Sequence, residues 1–379
     1  MKKNSKREGS VERKRRIQGR SMEPLTIGLD LGDQISHYCV LAENGEKVYE
    51  DKVATRKQAL GERFGRLGRC RIALEVGTHS PWVSRLLIAL GHEVIVANAR
   101  QVKLITESSR KNDKLDAHML ARLARFDPQL LRPIRHRSEQ AQQHLMVIRA
   151  RAALVEARTQ LVNALRGLAK SVGERIPKCA SYQMDVERLE HLPVCLRPAL
   201  QPLAEEIQSL SQRIHNYDEA IEQIAREEYP ETALLEQVSG VGTLIALTFV
   251  LTVEDPARFG KSRDLGCYVG LRPKHSESGE SQPQLRITKE GDVYLRSLLV
   301  QAAHCVLRRG APDTDLRRWG VQLFARGGKN AKKRAVVAVA RKLAILLHRL
   351  WVSGEVYEPL RNSQAHGRAK ARAAKKKAA

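Results

Sequence analysis

Aromatic side chains and long apolar runs are both scarce in this sequence of 379 residues. Phe, Trp and Tyr make up 4% of the chain, so stacking of bases on an aromatic platform is not expected as the main binding mode. The longest strongly apolar stretch, 244–253, is too short to span a bilayer. The basic start of the chain lacks the apolar run of a signal peptide. We therefore expect a cytoplasmic protein with no membrane contact.

Paired cysteines and acidic residues are also few. The six cysteines are scattered, and none forms a CxxC pair or lies at zinc spacing from a histidine, so free thiols in a reducing compartment are expected. Lys and Arg number 66 against 42 Asp and Glu, which gives a formal net charge of +24. This excess favours a polyanionic partner, most simply nucleic acid, and does not bear on the fold.

Composition and hydrophobic periodicity divide the chain into five segments. The first, 1–22, carries nine Lys and Arg and is expected to be a disordered basic arm. The others are predicted as an α/β domain (23–130), a helical coiled-coil region (131–230), a mainly helical domain (231–355) and a basic disordered tail (356–379).

The α/β domain opens with a predicted meander of three strands. Its last turn contains Asn44-Gly45, a pair typical of tight hairpins. Alternating helices and strands follow. The predicted strands are 27–31, 37–41, 47–53, 70–76 and 93–97, and the predicted helices are 57–67 and 80–90. This order indicates a mixed sheet with helices packed on it.

Acidic residues lie at two strand ends and on one later helix. Asp30 lies in the first predicted strand near its end, Glu75 lies near the end of strand 70–76, and Asp113 and Asp116 lie three apart on one helix face. A buried carboxylate costs several kcal/mol unless it is compensated. A divalent metal is one way to compensate this cost, and contact with a phosphate is another. Each acid alone also fits a structural role. As an ordered set, the four acids predict a site for two Mg²⁺ ions, as in phosphoryl transfer.

Two long helices are predicted in the middle of the chain. Apolar residues recur at spacings of four and three from Leu145 to Leu165, and again without a break from Leu203 to Ile224. The connection between them, 173–198, contains three prolines. A helical hairpin within one chain and an arm that pairs with another subunit fit this pattern equally well.

The C-terminal domain contains two candidate nucleic-acid contacts. Gly240, Gly242 and Thr243 precede an apolar helix in a hairpin-plus-helix pattern, and such a turn exposes N–H groups to a phosphate. A polar loop further on contains Ser276, Ser278 and Ser281. The cationic residues around this loop are Arg272, Lys274, Arg286, Lys289 and Arg296. Surface serine loops are usually inert, but serines among this many cations can bind or attack a phosphodiester.

Six motifs occur in a fixed order along the chain. They are GLDLG (28–32), ALEVGTHS (73–80), KNDKLDA (111–117), SGVGTLIA (239–246), YVGLRPKHSESGE (268–280) and RITKEGDVYLRSLL (286–299). Over about residues 25–350, this order resembles the DEDD transposases of bridge-RNA-guided insertion sequences. The resemblance implies an RNase H-like, RuvC-related N-terminal domain, a coiled-coil insertion and a C-terminal transposase domain with a helix-hairpin-helix-like element.

The resemblance also implies roles for particular residues. Asp30, Glu75, Asp113 and Asp116 match the metal-binding tetrad, and Ser278 matches the nucleophile that forms a covalent phosphoserine link to DNA. It implies that the acidic site of one subunit works with the serine of another, so a dimer or tetramer is expected. It further implies a structured RNA that pairs with both DNAs, and action on the bacterial nucleoid. The neighbouring Ser276 and Ser281 remain alternative nucleophiles.

Two other classes of enzyme fit parts of the sequence. A metal-dependent junction-resolving endonuclease would use water as the nucleophile, and the serine loop would only grip DNA. An actin-like ATPase or sugar kinase also opens with GLDLG and a hairpin, but it needs a second, DxGGT-like loop that the sequence lacks. A purely structural DNA-binding protein would leave the four acids unexplained.

Overall fold

The computed structural model describes residues 25–98, 113–278, 281, 283 and 285–363, apart from the side chains of 113–115. The chain divides into two compact units, Met1–Arg137 and Ser138–Ala379. The predicted basic arm and the tail beyond residue 363 lie outside the described residues. The division of the chain into five segments stays a prediction.

A five-stranded mixed sheet forms the centre of the first unit. Its strands are β1 (Thr26–Asp30), β2 (Ile35–Leu41), β3 (Lys47–Ala54), β4 (Arg71–Glu75) and β5 (Glu93–Ala97). They lie in the order β3-β2-β1-β4-β5, with β2 antiparallel to β1 and β3, and β4 parallel to β1 and β5. The predicted mixed sheet is confirmed, as is the hairpin at Asn44-Gly45, where Gly45 has a φ of +84°.

Helices cover both faces of this sheet. They are α1 (Lys57–Phe64), α2 (Ser80–Ala89) and α3 (Asp113–Phe126). Ile27 and Leu29 of β1 pack in one cluster with buried residues of α1 and α2. Side chains alternate along a strand, so the other face of β1 is left for α3, whose Ala117 and Ala121 pack with Cys39 of β2.

The second unit begins with two long helices, α4 (Glu139–Ser171) and α5 (Arg197–Glu228), which pack against each other. Ser138 caps α4, because its hydroxyl accepts a hydrogen bond from the Ala141 N–H at 3.1 Å. The predicted apolar stripe of α5 is buried at Ile207, Leu210, Ile214 and Ile221. A helical hairpin within one chain is therefore present.

The rest of the second unit is mainly helical, as predicted. Its helices are α6 (Thr232–Glu236), α7 (Thr243–Val253), α8 (Ser262–Tyr268), α9 (Val293–Leu307), α10 (Asp315–Ala325) and α11 (Ala331–Ser353). Helix α7 is apolar on all sides and contributes to a core that it shares with α9 and α11. None of the described helices is both long and apolar enough to cross a membrane.

One part of the predicted disordered tail is ordered. The Asp315 carboxylate at the start of α10 accepts hydrogen bonds from the backbone N–H groups of Asn362 and Ser363, at 2.6 and 3.2 Å. The N–H of Asp315 in turn donates to the Pro359 carbonyl at 2.7 Å. Residues 356–363 therefore dock on the start of α10, because these hydrogen bonds offset the entropy lost in ordering them.

Candidate active site

Helix α3 lies directly on Gly28 of β1. A Cβ at this position would lie 1.9 Å from the Ala117 carbonyl oxygen and 2.5 Å from the Ala121 nitrogen, so only glycine allows this approach. Alternate residues of a strand point to the same face. Asp30, two residues beyond Gly28, therefore lies on the face that α3 covers.

The direction of α3 brings its acidic end toward Asp30. At the other end of the helix, Arg125 Nε donates to the Glu43 carbonyl at 2.9 Å, beside the β2–β3 turn. That turn lies at the amino end of β1, since Thr26 pairs with Leu41. Going back from Ala117 to Asp113 spans about 6 Å of helix, and going on from Gly28 to Asp30 spans about 6.6 Å of strand. Asp113 therefore begins α3 at the level of Asp30.

Glu75 lies beside Asp30 on the same face. The parallel register pairs Leu29 with Leu74, so Asp30 and Glu75 follow at the next position on strands about 4.8 Å apart. Ala73, two residues before Glu75, packs against Leu120 of α3 in one cluster. Asp30, Glu75 and Asp116 are all half-buried. The fold thus brings these three acids to one face and one edge of the sheet.

The donor chemistry of this edge fits a hard cation, because carboxylate oxygens are the ligands that Mg²⁺ prefers. Among the described side chains, however, no three of the types His, Cys, Asp and Glu come together closely enough to hold a metal ion. The side chain of Asp113 falls outside that description.

Two histidines at this edge were missed by sequence reasoning. His37 lies directly opposite Asp30 on β2, and the alternation of β2 with buried Cys39 is the signal that could have found it. His79, after β4, has its Nε2 atom 3.3 Å from the Asp33 carboxylate, and its Nδ1 atom accepts from Trp82 Nε1 at 3.1 Å. His37 is therefore the cross-strand neighbour of Asp30, whereas His79 contacts Asp33 between β1 and β2.

A buried serine fixes the loop that follows Glu75. The Ser80 hydroxyl donates to the Gly77 carbonyl at 2.8 Å and accepts from the Gly77 N–H at 3.0 Å. His136 Nε2 lies 2.9 Å from the same oxygen. Burial, together with the positive charges of Arg85 and Arg137, lowers the pKa of His136. A neutral imidazole is thus favoured at this position near pH 7, and it holds the loop in place.

The predicted serine loop is a two-stranded ribbon in the second unit. The Lys274 N–H donates to the Arg286 carbonyl, and the Thr288 N–H donates to the Arg272 carbonyl, each at 2.8 Å. Between these bonds Pro273 lies opposite Ile287. Arg272, Lys274 and Arg286 therefore share one face of the ribbon, and all three are exposed.

Ser278 lies near the tip of this ribbon. It exchanges backbone hydrogen bonds with Ser281, with N···O distances of 3.3 and 3.1 Å. Ser276, Ser278 and Ser281 are all exposed. His275 Nδ1 lies 3.3 Å from the Glu277 carboxylate in an exposed ion pair. The tip therefore presents hydroxyl groups beside a histidine and several cations.

Arg296 lies at the base of the ribbon and is only 9% exposed. Its Nη1 atom donates to the carbonyls of Val269 and Glu290, at 3.1 and 2.6 Å. These two residues lie on the two chain segments that lead into the ribbon, so Arg296 ties the segments together. Its contact with nucleic acid stays a prediction. The exposed Lys289, with a φ of +59°, lies beside this anchor.

An ion pair supports the same base from the long helices. The Asp292 carboxylate caps α9 by accepting from the Leu295 N–H at 2.8 Å, and it pairs with Arg149 of α4 at 2.5 Å. The Arg149 guanidinium also lies 5.1 Å from the ring centroid of Tyr294. Sequence reasoning missed this contact, because nothing in the local pattern links residues 143 positions apart.

The predicted glycine turn lies between α6 and α7. Gly240 has a φ of +88° and packs against α9, where an added Cβ would lie 3.0 Å from the Ala302 carbonyl oxygen. Gly242 is the exposed N-cap residue of α7, and Thr243 is the first residue of that helix. The turn thus places the N-terminal end of α7 at the surface.

Comparison with known proteins gives matches in both units. Residues 27–173 match the transposase model for DEDD enzymes of the IS110 group, and residues 232–317 match the model described as Transposase IS116/IS110/IS902 family. A probable family 20 transposase of Pseudomonas aeruginosa is 30% identical over 88% of this chain and 98% of its own length. The transposase for insertion sequence element IS1111A of Coxiella burnetii is 28% identical over 92% and 94%.

These matches together identify a transposase. The chain belongs to the IS116/IS110/IS902 family of transposases.

Proposed function

We propose that this transposase cuts and rejoins DNA strands at the ends of an insertion sequence and at its target. The observation that carries the proposal is the convergence of Asp30, Glu75 and the acidic end of α3 on one edge of the sheet. The mixed order of the five strands supports an RNase H-like, RuvC-like domain over residues 23–130. This domain is joined to a coiled-coil region at 131–230 and a transposase domain at 231–355.

The acidic edge is the proposed metal site. Asp30, Glu75, Asp113 and Asp116 would hold Mg²⁺, in a two-metal site, which when bound would activate a nucleophile and stabilise the leaving oxygen. The chain's own contribution would be to carry the four carboxylates on two neighbouring strands and one helix at the same end of the sheet. The contact between Gly28 and Ala117 sets the distance between the strand acids and the helix acids.

The serine ribbon is the proposed source of the nucleophile. The Ser278 hydroxyl loses its proton to a base and its Oγ forms a bond to phosphorus. One bridging P–O bond of the DNA then breaks, and the released oxygen takes up a proton. One phosphodiester replaces another, so no outside energy is needed to rejoin the strands. Arg272, Lys274, Arg286 and Lys289 would stabilise the charge on phosphate, while Arg296 holds the ribbon base.

Partners follow from the same proposal. We infer a homo-oligomer, dimer or tetramer, in which the acidic site of one subunit meets the ribbon of another, together with a structured bridge RNA. The backbone at Gly240, Gly242 and Thr243 would hold a DNA phosphate. The net charge of +24 supports nucleic-acid partners, and the bacterial relatives support action on the nucleoid in the cytoplasm.

The test is a search for a covalent protein–DNA adduct. A substrate nicked so that strand transfer stalls should give an adduct that survives SDS, disappears with protease and maps to Ser278. The variant Ser278→Ala should lose both adduct and strand exchange, while the control Ser281→Ala should retain both. If Ser278→Ala still recombines and no adduct forms, the serine step is wrong. Continued cutting would then favour the endonuclease that uses water.

A further inference from the structure

A surface cavity of about 470 Å³ lies beside the β2–β3 turn, at the end of β1 away from the acidic edge. Leu41 of β2 and Met119 of α3 contribute apolar walls, and Phe126 closes one side. Arg122 and Arg125 contribute the charge. We call this feature the Phe126 groove. It takes no part in the strand chemistry proposed above.

Phe126 is the most unusual residue of the groove. Its side chain is 81% exposed at the last residue of α3, in a chain with only five phenylalanines. An exposed aromatic face next to a cavity offers a surface for a second flat ring, because aromatic and base π-faces stack without sequence preference.

The two arginines of the groove differ in their roles. Arg125 is held in place, because its Nε and Nη2 atoms both donate to the Glu43 carbonyl and its guanidinium rests against Gly45. Arg122 is exposed and forms no hydrogen bond or ion pair with another residue in the described part of the chain. No carboxylate is among the described residues that line the groove. The groove therefore has one arginine held by the Glu43 carbonyl, Arg125, and one exposed arginine, Arg122, that can bind an anion.

We propose that the Phe126 groove binds an unpaired nucleotide of a single-stranded nucleic acid, with the base stacked on Phe126 and a phosphate at Arg122. The bases of a continuous duplex are already stacked on each other, so their faces do not reach an isolated ring. The two arginines, with no carboxylate among the described lining residues, favour a polyanion over an apolar peptide. RNA and single-stranded DNA share the recognised chemistry, and the test separates them.

The test measures fluorescence anisotropy of labelled ten-nucleotide oligothymidylate and oligouridylate, with a DNA duplex of equal length as comparison. Phe126→Ala should weaken single-strand binding by about 5- to 150-fold and change duplex binding little. Phe126→Trp should retain affinity, and its added tryptophan emission should be quenched by the single strand. The matched control is Phe324→Ala, which removes another exposed phenylalanine, on α10, and should leave affinity unchanged. If one oligonucleotide binds more tightly than the other, it identifies whether the nucleotide comes from RNA or from single-stranded DNA.

A second variant tests the phosphate contact. Arg122→Gln should lower the slope of log affinity against log salt by about 0.7, the value of one phosphate on a single strand. The proposal would be overturned if Phe126→Ala and wild type bound the single strands with equal affinity. It would also be overturned if Phe126→Ala lost as much affinity for the duplex as for the single strands. A changed oligomeric state of Phe126→Ala with unchanged oligonucleotide affinity would also overturn it. The double variant Asp30→Asn/Phe126→Trp should keep the fluorescence quenching of Phe126→Trp, so failure of the cleavage proposal and failure of this binding proposal are distinguishable.

Discussion

The contact between Gly28 and α3 gives the sharpest prediction about how the acidic edge is built. In Gly28→Ala the new Cβ would lie 1.9 Å from the Ala117 carbonyl oxygen, whereas ordinary contacts begin at 3.4 Å. Helix α3 must therefore move away from β1 by the difference, 1.5 Å, or β1 must bend. Both obstacles are backbone atoms, so no side-chain rotation relieves the overlap.

The expected loss of stability in Gly28→Ala follows from overpacking of the contact between β1 and α3. Extra carbon in a well-packed core typically costs about 1–3 kcal/mol, and occasionally more, and a clash with backbone places Gly28→Ala at or above the upper end. The retreat of α3 also moves Asp113 and Asp116 away from Asp30 and Glu75. We therefore expect lower stability of the first unit and lost DNA cleavage together.

Urea unfolding and hydrogen exchange of α3 measure the effect directly. The matched control is Gly61→Ala on α1, where nothing lies within 4 Å of the added Cβ. Since alanine stabilises a helix interior by about 0.5–1 kcal/mol relative to glycine, this variant should be slightly more stable than wild type. If Gly28→Ala unfolds at the same urea concentration as wild type, or cleaves DNA normally, the packing account is wrong.

Three further predictions concern other parts of the chain. Asp292→Ala removes a helix cap and an ion pair, whereas Arg149→Ala removes the ion pair and the contact with Tyr294 but keeps the cap. Urea unfolding should therefore show Asp292→Ala to be costlier by about 0.5–2 kcal/mol, the contribution of a helix cap; equal costs would contradict this. Burial lowers the pKa of His136, so stability should fall as pH drops below about 6.5, by up to about 1.4 kcal/mol per pH unit for this group. Thermal melts of His136→Gln should show a flatter pH dependence; an unchanged one would count against this assignment. DNA affinity should drop about 10³- to 10⁵-fold between 50 and 200 mM salt if about 6–10 phosphates are contacted, and a salt-independent titration would exclude the polyanion account.

Local patterns were sufficient to predict most of the elements. The strand predicted at 93–97 matches β5 (Glu93–Ala97), and the helix predicted at 80–90 matches α2 (Ser80–Ala89). Pro81 in the first turn and Gly91 after the end indicated that helix. The pattern of apolar residues, alternating in strands and recurring every three or four residues in helices, indicated the other elements. Such signals act within a few residues, so they can be read without knowing the fold.

Contacts between distant segments could not be predicted in this way. The sequence placed acids at two strand ends, but only the parallel pairing of β1 with β4 puts Asp30 next to Glu75. Similarly, the charge of Arg296 predicts a contact with nucleic acid, which stays a prediction, but it does not predict the hydrogen bonds that Arg296 makes within the chain. Its burial against the carbonyls of Val269 and Glu290 depends on how α9 meets the ribbon, which no periodicity encodes.

Metal affinity of the acidic edge tests the central claim most directly. Calorimetric titration of the full-length protein with Mn²⁺, as a probe for Mg²⁺, should show binding that Asp30→Asn and Asp116→Asn each weaken. The loss should exceed the about 10- to 100-fold that outer partners of a metal site contribute. The control Asp33→Asn changes an acid with a 92% exposed side chain near the same edge and should bind as wild type does. Equal Mn²⁺ affinity in all four proteins would contradict the assignment of this edge as the metal site.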